Sequence, residues 1–302
     1  MPPVSHEPPL PVMKGIGLSA MGYACFSVQD ATVKWLVSHY PVPEILMFRS
    51  LVIVAIALAI GGRRNLSALA HSRNKRALVV RAALILAAWM SFYNAAPFLG
   101  LAQLTTLYFA APIIAVVLSI FVLGERVDGP RWIAVIGGFC GVVLASNPSA
   151  TGGLVPVGMA LFAACCWGLS VVLVRMISRT ETTANQMLVS NGFFACACAI
   201  MVLWTWTTPD WFSLALMFGI GVAGGLGQFL LYEGFRYAPA SVVAPVEYTG
   251  LLWAFIYGYA IWADIPKAQV FAGAGLIIAS SLVMIWFERR RAVRLVALDT
   301  RV

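Results

Sequence analysis

Charge is scarce in this chain. Asp, Glu, Lys and Arg make up only 11% of its 302 residues, where a soluble domain carries about 25%. No polar stretch is long enough to form a soluble catalytic domain beside the apolar bulk, which reaches 61%. Histidine is almost missing as well. His6, His39 and His71 lie in the N-terminal tail or in short loops, and no nucleophile elbow or metal-ligating helix accompanies them. No G-x-x-x-x-G-K-[ST] occurs, so the chain has no P-loop with which to hydrolyse ATP. The six cysteines (Cys25, Cys140, Cys165, Cys166, Cys196 and Cys198) contain no C-x-x-C pair. They sit in apolar runs and read as small packing residues rather than disulfides or metal ligands. These absences argue against an enzyme and against a metal or cofactor.

The abundant feature is the long apolar run. A bilayer core of about 30 Å needs about 20 apolar residues in a helix rising 1.5 Å per residue. Ten such runs can be read, over 15–37, 43–61, 78–99, 104–122, 130–146, 154–178, 183–206, 211–236, 241–261 and 268–287. The expected fold is therefore all-α and integral to the membrane, with ten transmembrane helices. The preceding segment, "MPPVSHEPPLPVM", is proline-rich and polar, so residues 1–14 read as a disordered cytoplasmic tail rather than a signal peptide.

The excess of basic residues, +8 in all, does not point to nucleic acid. With the N-terminus inside, every Lys and Arg except Lys34, Arg49 and Lys267 falls in or beside an inner segment. Arg81 is counted there, as is the basic tail 288–302 with "ERRRAVR". This asymmetry is the positive-inside pattern and places both termini in the cytoplasm. The tail can also meet anionic lipid.

The runs form two copies of one unit. "FAAPIIAVVLS" at Phe109–Ser119 is echoed by "VVAPVEYTGLLW" at Val242–Trp253, both with Ala-Pro. "GLSAMGYACFSVQDATVKW" from Gly17 lies over "GMALFAACCWGLSVVLVRM" from Gly158, and Glu125 pairs with Asp264 after the Ala-Pro runs. The repeats are 15–147 and 154–287. Each holds five spans, an odd number, so the second must enter the membrane from the opposite face. Inverted repeats of this kind are typical of secondary transporters, because two similar halves can open in turn toward each side.

On these residues the chain resembles the drug/metabolite transporter superfamily, specifically its EamA-type ten-span members. The resemblance covers nearly the whole chain. It is carried by "AAPIIAVVLSIFVLGERVDGPRWIAVIGGFCGVVL", by its weaker second copy "VAPVEYTGLLWAF...ADIPKAQVFAGAGLIIAS", and by "CFSVQDATVKW" and "CCWGLSVVLVR". The second copy departs from the pattern, with Trp262, Ala263 and Asp264 where Gly-Glu is usual. The resemblance implies export of small metabolites, amino acids prominent among them, across a bacterial-type inner membrane. A monomeric carrier is expected, with a small-molecule substrate and the lipid bilayer as partners. A multidrug carrier of the same fold, a channel and a membrane-embedded enzyme are the alternatives.

Residues that can line a path are those placing polar or aromatic groups on one face of a span. In the first span Tyr23, Ser27, Asp30 and Lys34 form a polar stripe, with Asp30 and Lys34 spaced to pair as i and i+4. The third offers Trp89, Tyr93 and Asn94, and the fourth Tyr108. Trp167 follows in the sixth, and Gln228 and Tyr232 in the eighth. Aromatic rings at span ends usually form interfacial belts, but Trp89, Tyr93, Trp167 and Tyr232 lie away from the ends. Together they suit an amphipathic or aromatic small molecule. Glycines crowd the eighth span and read first as close helix packing. Pro112 and Pro245 are candidate hinges, since each removes a backbone hydrogen bond within a span. Glu247, two residues beyond Pro245, is too deep for an interfacial acid. It either meets a substrate ammonium or proton, or ties helices together through Arg236 or Arg175.

Overall fold

The computed structural model describes residues 12–70, 75–111, 114, 129–146, 153–177, 181–237, 246 and 249–299. Those residues form helices and connecting turns, with no strand among them. The helices are α1 Val12–Leu36, α2 Val42–Ala70, α3 Lys75–Ala95, α4 Leu101–Tyr108, α5 Gly129–Ser146, α6 Leu154–Ile177, α7 Thr183–Thr205, α8 Trp211–Tyr237, α9 Thr249–Trp262 and α10 Ala268–Asp299. Pro112, Pro245 and Glu247 lie outside the described residues. Among the described residues, four helices contain stretches long and apolar enough to cross a bilayer, α2, α3, α7 and α8. Further apolar stretches lie in α5, α6, α9 and α10. Two helices outrun the spans expected for them, α2 continuing to Ala70 and α10 to Asp299.

Local chemistry sets the helix ends. Pro43 is the second residue of α2, in the first turn where its missing N–H is harmless. Pro97 follows α3 and biases Ala96 away from helix. Thr182 caps α7 by accepting from the Asn185 N–H. At the start of α8 the Asp210 carboxylate accepts from the Ser213 N–H at 2.7 Å, a capping bond that satisfies one otherwise orphaned donor. That bond and others from the same turn hold the Asp210 carboxyl below the usual carboxylate range. After α9 the chain turns through Ala263 at φ 51°, a left-handed position that glycine would occupy without strain.

The helices are amphipathic in the sense opposite to a soluble protein. On α8, Phe218, Val222, Leu226 and Phe229 are exposed, whereas Gly221, Gly224, Gly225 and Gln228 are buried. With lipid outside and no water to solvate polar groups, apolar side chains belong on the rim, and small or polar ones belong where helices meet. Exposed Trp204, Trp206 and Trp211 gather at one end of α7 and α8, as an aromatic belt requires.

Small residues let the helices meet closely. Gly22 of α1 crosses Gly227 of α8, where a Cβ on either would stand 3.0 Å from the other's carbonyl oxygen. Gly141 of α5 meets Gly273 of α10 in the same way. Both pairs run antiparallel: Ser19 lies beside Gly234, and Gly137 beside Ser280. In contrast, α2 and α8 run parallel, with Val52 against Gly221 and Ile53 against Gly225. The most extensive packing joins α1 with α8, α3 with α6, α2 with α7, and α5 with α10. Each pair takes one helix from the first five and one from the second.

The turns after α1, α3, α7 and α9 lie at one end of this bundle. Tyr40 bonds to Asp210, Glu44 accepts from the Thr207 N–H, and Lys34 donates to the Leu99 carbonyl at 2.6 Å while its ammonium sits 5.1 Å over the Trp262 ring. Asp264 packs against Gly100. The spacing of Asp30 and Lys34 suggested a pair within α1, but the structure separates them. Asp30 instead accepts from the Tyr93 hydroxyl. Both side chains find better partners across helices than along their own.

Candidate functional site

A cavity of about 810 Å³ of atom-free space, its open mouth included, lies among α1, α3, α4, α6, α8 and α9. It draws its lining from both groups of five helices. Tyr23, Trp89, Tyr93, Tyr108 and Trp167 all line it, brought together from α1, α3, α4 and α6. The rings of Tyr93, Phe92, Tyr108 and Trp167 form a connected wall. Phe92 packs edge-on to Tyr108 at 5.2 Å between centroids, and the Tyr108 ring lies tilted against Trp167 at 6.2 Å. Periodicity places Trp89, Phe92 and Tyr93 on one side of α3, while the register of α4 turns Leu101, Thr105 and Tyr108 to the same space. Most of this surface is flat and apolar, and its polar groups are concentrated on α1 as Ser27, Gln29 and Asp30.

Behind that polar edge runs a chain of buried hydrogen bonds. Asp30 Oδ1 accepts from the Tyr93 hydroxyl at 2.8 Å, and that hydroxyl accepts from Gln29 Nε2 at 2.7 Å. Gln29 Oε1 accepts from Arg49 Nε at 2.6 Å, and Arg49 Nη1 donates to Asn191 Oδ1 at 3.3 Å. Asn191 Nδ2 donates to Gln228 Oε1, whose own amide donates to the Tyr232 hydroxyl. Tyr232 in turn accepts from Arg81 Nη2 at 2.8 Å, and Arg81 Nη1 ends the series on Gln186 Oε1. The series joins α1, α2 and α3 to α7 and α8. Removing a partner from a buried group costs about 1–3 kcal/mol, more where the group is charged, so these helices hold one another in register.

Arg49 is the least expected member. Its guanidinium is completely buried, and the Trp89 ring covers it at 4.1 Å, a cation–π contact that partly replaces water. Gly224 makes room for it: a Cβ there would overlap Gln29 Oε1 and stand 2.8 Å from Arg49 Nε. Arg81 is likewise buried within α3, which corrects its placement among the inner-surface charges. It serves as a buried donor rather than a topology signal.

The expected site residues therefore divide. Tyr23, Trp89, Tyr93, Tyr108 and Trp167 line the cavity. Gln228 and Tyr232 belong to the hydrogen-bond series behind it. Asn94 is exposed and folds back onto the Met90 carbonyl of its own helix, away from the other site residues. The sequence reading missed Gln29, Arg49, Asn191 and Gln186 as site members. An ionisable or amide group inside an apolar run is the signal that could have found them.

The described residues hold no cluster of His, Cys, Asp and Glu able to bind a metal. What the arrangement offers is binding: rings and one carboxyl at the cavity, with two buried cations behind.

Known proteins match this fold and length. A solved structure aligns over 92% of this chain and 98% of its own, with a TM-score of 0.65 at 15% identity. An S-adenosylmethionine uptake transporter of Rickettsia felis is 24% identical over 93% of this chain and 96% of its length. That of Rickettsia conorii is 27% identical over 62% of this chain, and the match spans 63% of the relative's length. The pseudopaline exporter CntI of Pseudomonas aeruginosa is 26% identical over 89% of this chain and 95% of its own. The profile described as the EamA-like transporter family matches twice, at residues 13–147 and 154–286. Matched by one family profile in both halves, the chain belongs to the EamA-like transporter family of the drug/metabolite transporter superfamily.

Proposed function

We propose that the chain is a ten-span secondary transporter built from two inverted five-helix repeats. It moves amino acids, those with apolar or aromatic side chains by preference, out of the cytoplasm by alternating access at the central cavity. The membrane is a bacterial-type inner membrane, with both termini on the cytoplasmic side.

The observation that carries this reading is a cavity lined from both groups of five helices, with an aromatic wall and a polar edge. A pocket of that composition suits a small molecule with one apolar end and one polar end. The helix pairing supports the inverted repeat. Exchanging α1–α5 for α6–α10 turns the α1–α8 contact into α6–α3, and turns α2–α7 and α5–α10 into themselves, and all of these are extensive. Turns that are outer in this topology, those after α1, α3, α7 and α9, also meet at one end.

The test is flux into proteoliposomes holding the purified protein, across a panel of labelled amino acids, with and without a pH gradient. The expected result is saturable uptake of the apolar and aromatic members, accelerated by the same compound on the far side. Unsaturable flux would indicate a channel, and no flux of any amino acid would overturn the substrate assignment.

A further inference from the structure

Arg49, buried behind the cavity lining at Gln29, carries an unused bonding capacity. Its Nε donates to Gln29 Oε1, but the adjacent Nη2 has no hydrogen-bond partner. Nε, Nη2 and Gln29 Oε1 converge on one point beside Gly224, where a Cβ would stand 2.8 Å from the first and 2.9 Å from the second. The Nε–Nη2 edge of a guanidinium is a two-pronged donor that fits the two oxygens of a carboxylate. Gln29 offers it a single oxygen. Among the described residues no carboxylate forms an ion pair with Arg49, whose other contacts are Asn191 and the Trp89 face.

On the other side of Gln29 stands the opposite charge. Asp30 lines the cavity and is held at one oxygen by Tyr93, which also accepts from the Gln29 amide. A cation at Arg49 and a carboxyl at Asp30 thus bracket one amide and one hydroxyl. Gln29, Asp30 and Tyr93 all face the cavity.

We propose that Asp30 and Arg49 are the two ends of a recognition site for a zwitterionic α-amino-acid head. The ligand's ammonium meets Asp30, and its carboxylate displaces the Gln29 amide from the Nε–Nη2 edge of Arg49. The ligand's side chain then lies against Phe92, Tyr108 and Trp167. This deepens the transport reading above, on which it rests, by naming the group recognised and the residues that recognise it.

Charge balance selects the zwitterion over its fragments. In a low-dielectric site an unpaired charge is costly. An amine without a carboxylate leaves the Arg49 edge half empty. A carboxylate without an amine brings a second negative charge beside Asp30. Only a molecule with both ends satisfies both residues at no net change in charge.

The experiment is competition against flux of one labelled aromatic amino acid, with three unlabelled compounds: that amino acid, its methyl ester, and the acid lacking the amino group. In the wild type the amino acid should compete at least about tenfold better than either fragment, since a site built to bond a group rejects analogues lacking it. Arg49→Gln should abolish the preference over the ester, and Asp30→Asn the preference over the deaminated acid. Gln29→Ala keeps both charges and removes the internal occupant of the Arg49 edge. It should strengthen competition by the amino acid and the deaminated acid but not by the ester, a gain that damaged folding cannot produce. Equal competition by all three compounds in the wild type would overturn the site while leaving transport intact, and so would Gln29→Ala weakening all three alike. Absence of flux for every amino acid would overturn the transport reading itself, and this site with it.

Discussion

The cavity wall and the hydrogen-bond series behind it lie side by side yet are built on different terms. The wall is made of rings that touch one another loosely, at centroid separations of 5.2 and 6.2 Å, and Tyr108 and Trp167 are only half-buried. The series is made of buried amides and guanidinium groups at fixed hydrogen-bond lengths. A wall of rings can accept ligands of differing shape, because dispersion and hydrophobic contact are non-directional. A buried polar series yields only to a group that replaces the bonds it breaks, because donors or acceptors are otherwise left unmet. Binding and rigidity are therefore divided between neighbouring layers of the same helices, with Tyr93 and Gln29 belonging to both.

The largest effect should come from forcing that boundary open. Gly224→Leu would drive a side chain into Gln29 and Arg49. Overpacking costs about 1–3 kcal/mol on its own, and the series loses its central bond as well. Little folded protein and no flux are expected, read by thermal unfolding in detergent and by counterflow. Normal stability would mean that α8 does not approach α1 as closely as described.

Asn191→Leu is the next in size. It strips Arg49 Nη1 and Gln228 Oε1 of their partners, at about 1–3 kcal/mol for each buried group. The Tm should fall by several degrees. A Tm unchanged from wild type would show that the series adds nothing to rigidity.

Trp167→Ala tests the other layer. The ring is half-buried and meets Tyr108 across the cavity, so flux should fall about tenfold, equivalent to about 1.4 kcal/mol, with Tm nearly unchanged. If Tm fell and transport per folded molecule held, the wall would be packing rather than binding surface.

The smallest effects lie outside both layers. The capping bonds that hold the Asp210 carboxyl below its usual range stabilise the fold. The stabilisation is present above the ordinary carboxylate range and is lost as pH falls through the lowered value. Asp210→Ala should thus lower Tm at neutral pH and lose its effect in strong acid; an effect that grew in acid would contradict the cap. Asn94→Ala should shift stability by no more than about 0.5 kcal/mol and leave flux intact.

The two layers also differ in how legible they were. Ring-bearing positions such as Trp89 and Tyr93 stand out because aromatic residues away from span ends need a reason, and helical spacing groups them. A duplication was expected from Ala111 and Ala244 and from the paired first spans; the family profile matches residues 13–147 and 154–286. The polar series was not legible, because all its bonds but Gln228 to Tyr232 join residues 20 to 151 positions apart, and no local pattern encodes such distances. Arg81 was misread for a related reason. It is the seventh residue of α3 in a basic stretch, and only packing against Gln186 and Tyr232 distinguishes a buried guanidinium from a surface one. Asn94 was grouped with Tyr93 by adjacency, yet neighbouring helical residues point about 100° apart.

The claim that the cavity is the transport path is tested most directly at Thr105, half-buried in its lining on α4. In a protein freed of its six cysteines, Thr105→Cys can be labelled by a water-soluble maleimide in proteoliposomes, with exposed Ser38→Cys as the reference. Saturating transported amino acid should slow labelling at position 105 several-fold and leave position 38 unchanged. An unchanged rate at position 105, in protein that still transports, would place the path elsewhere.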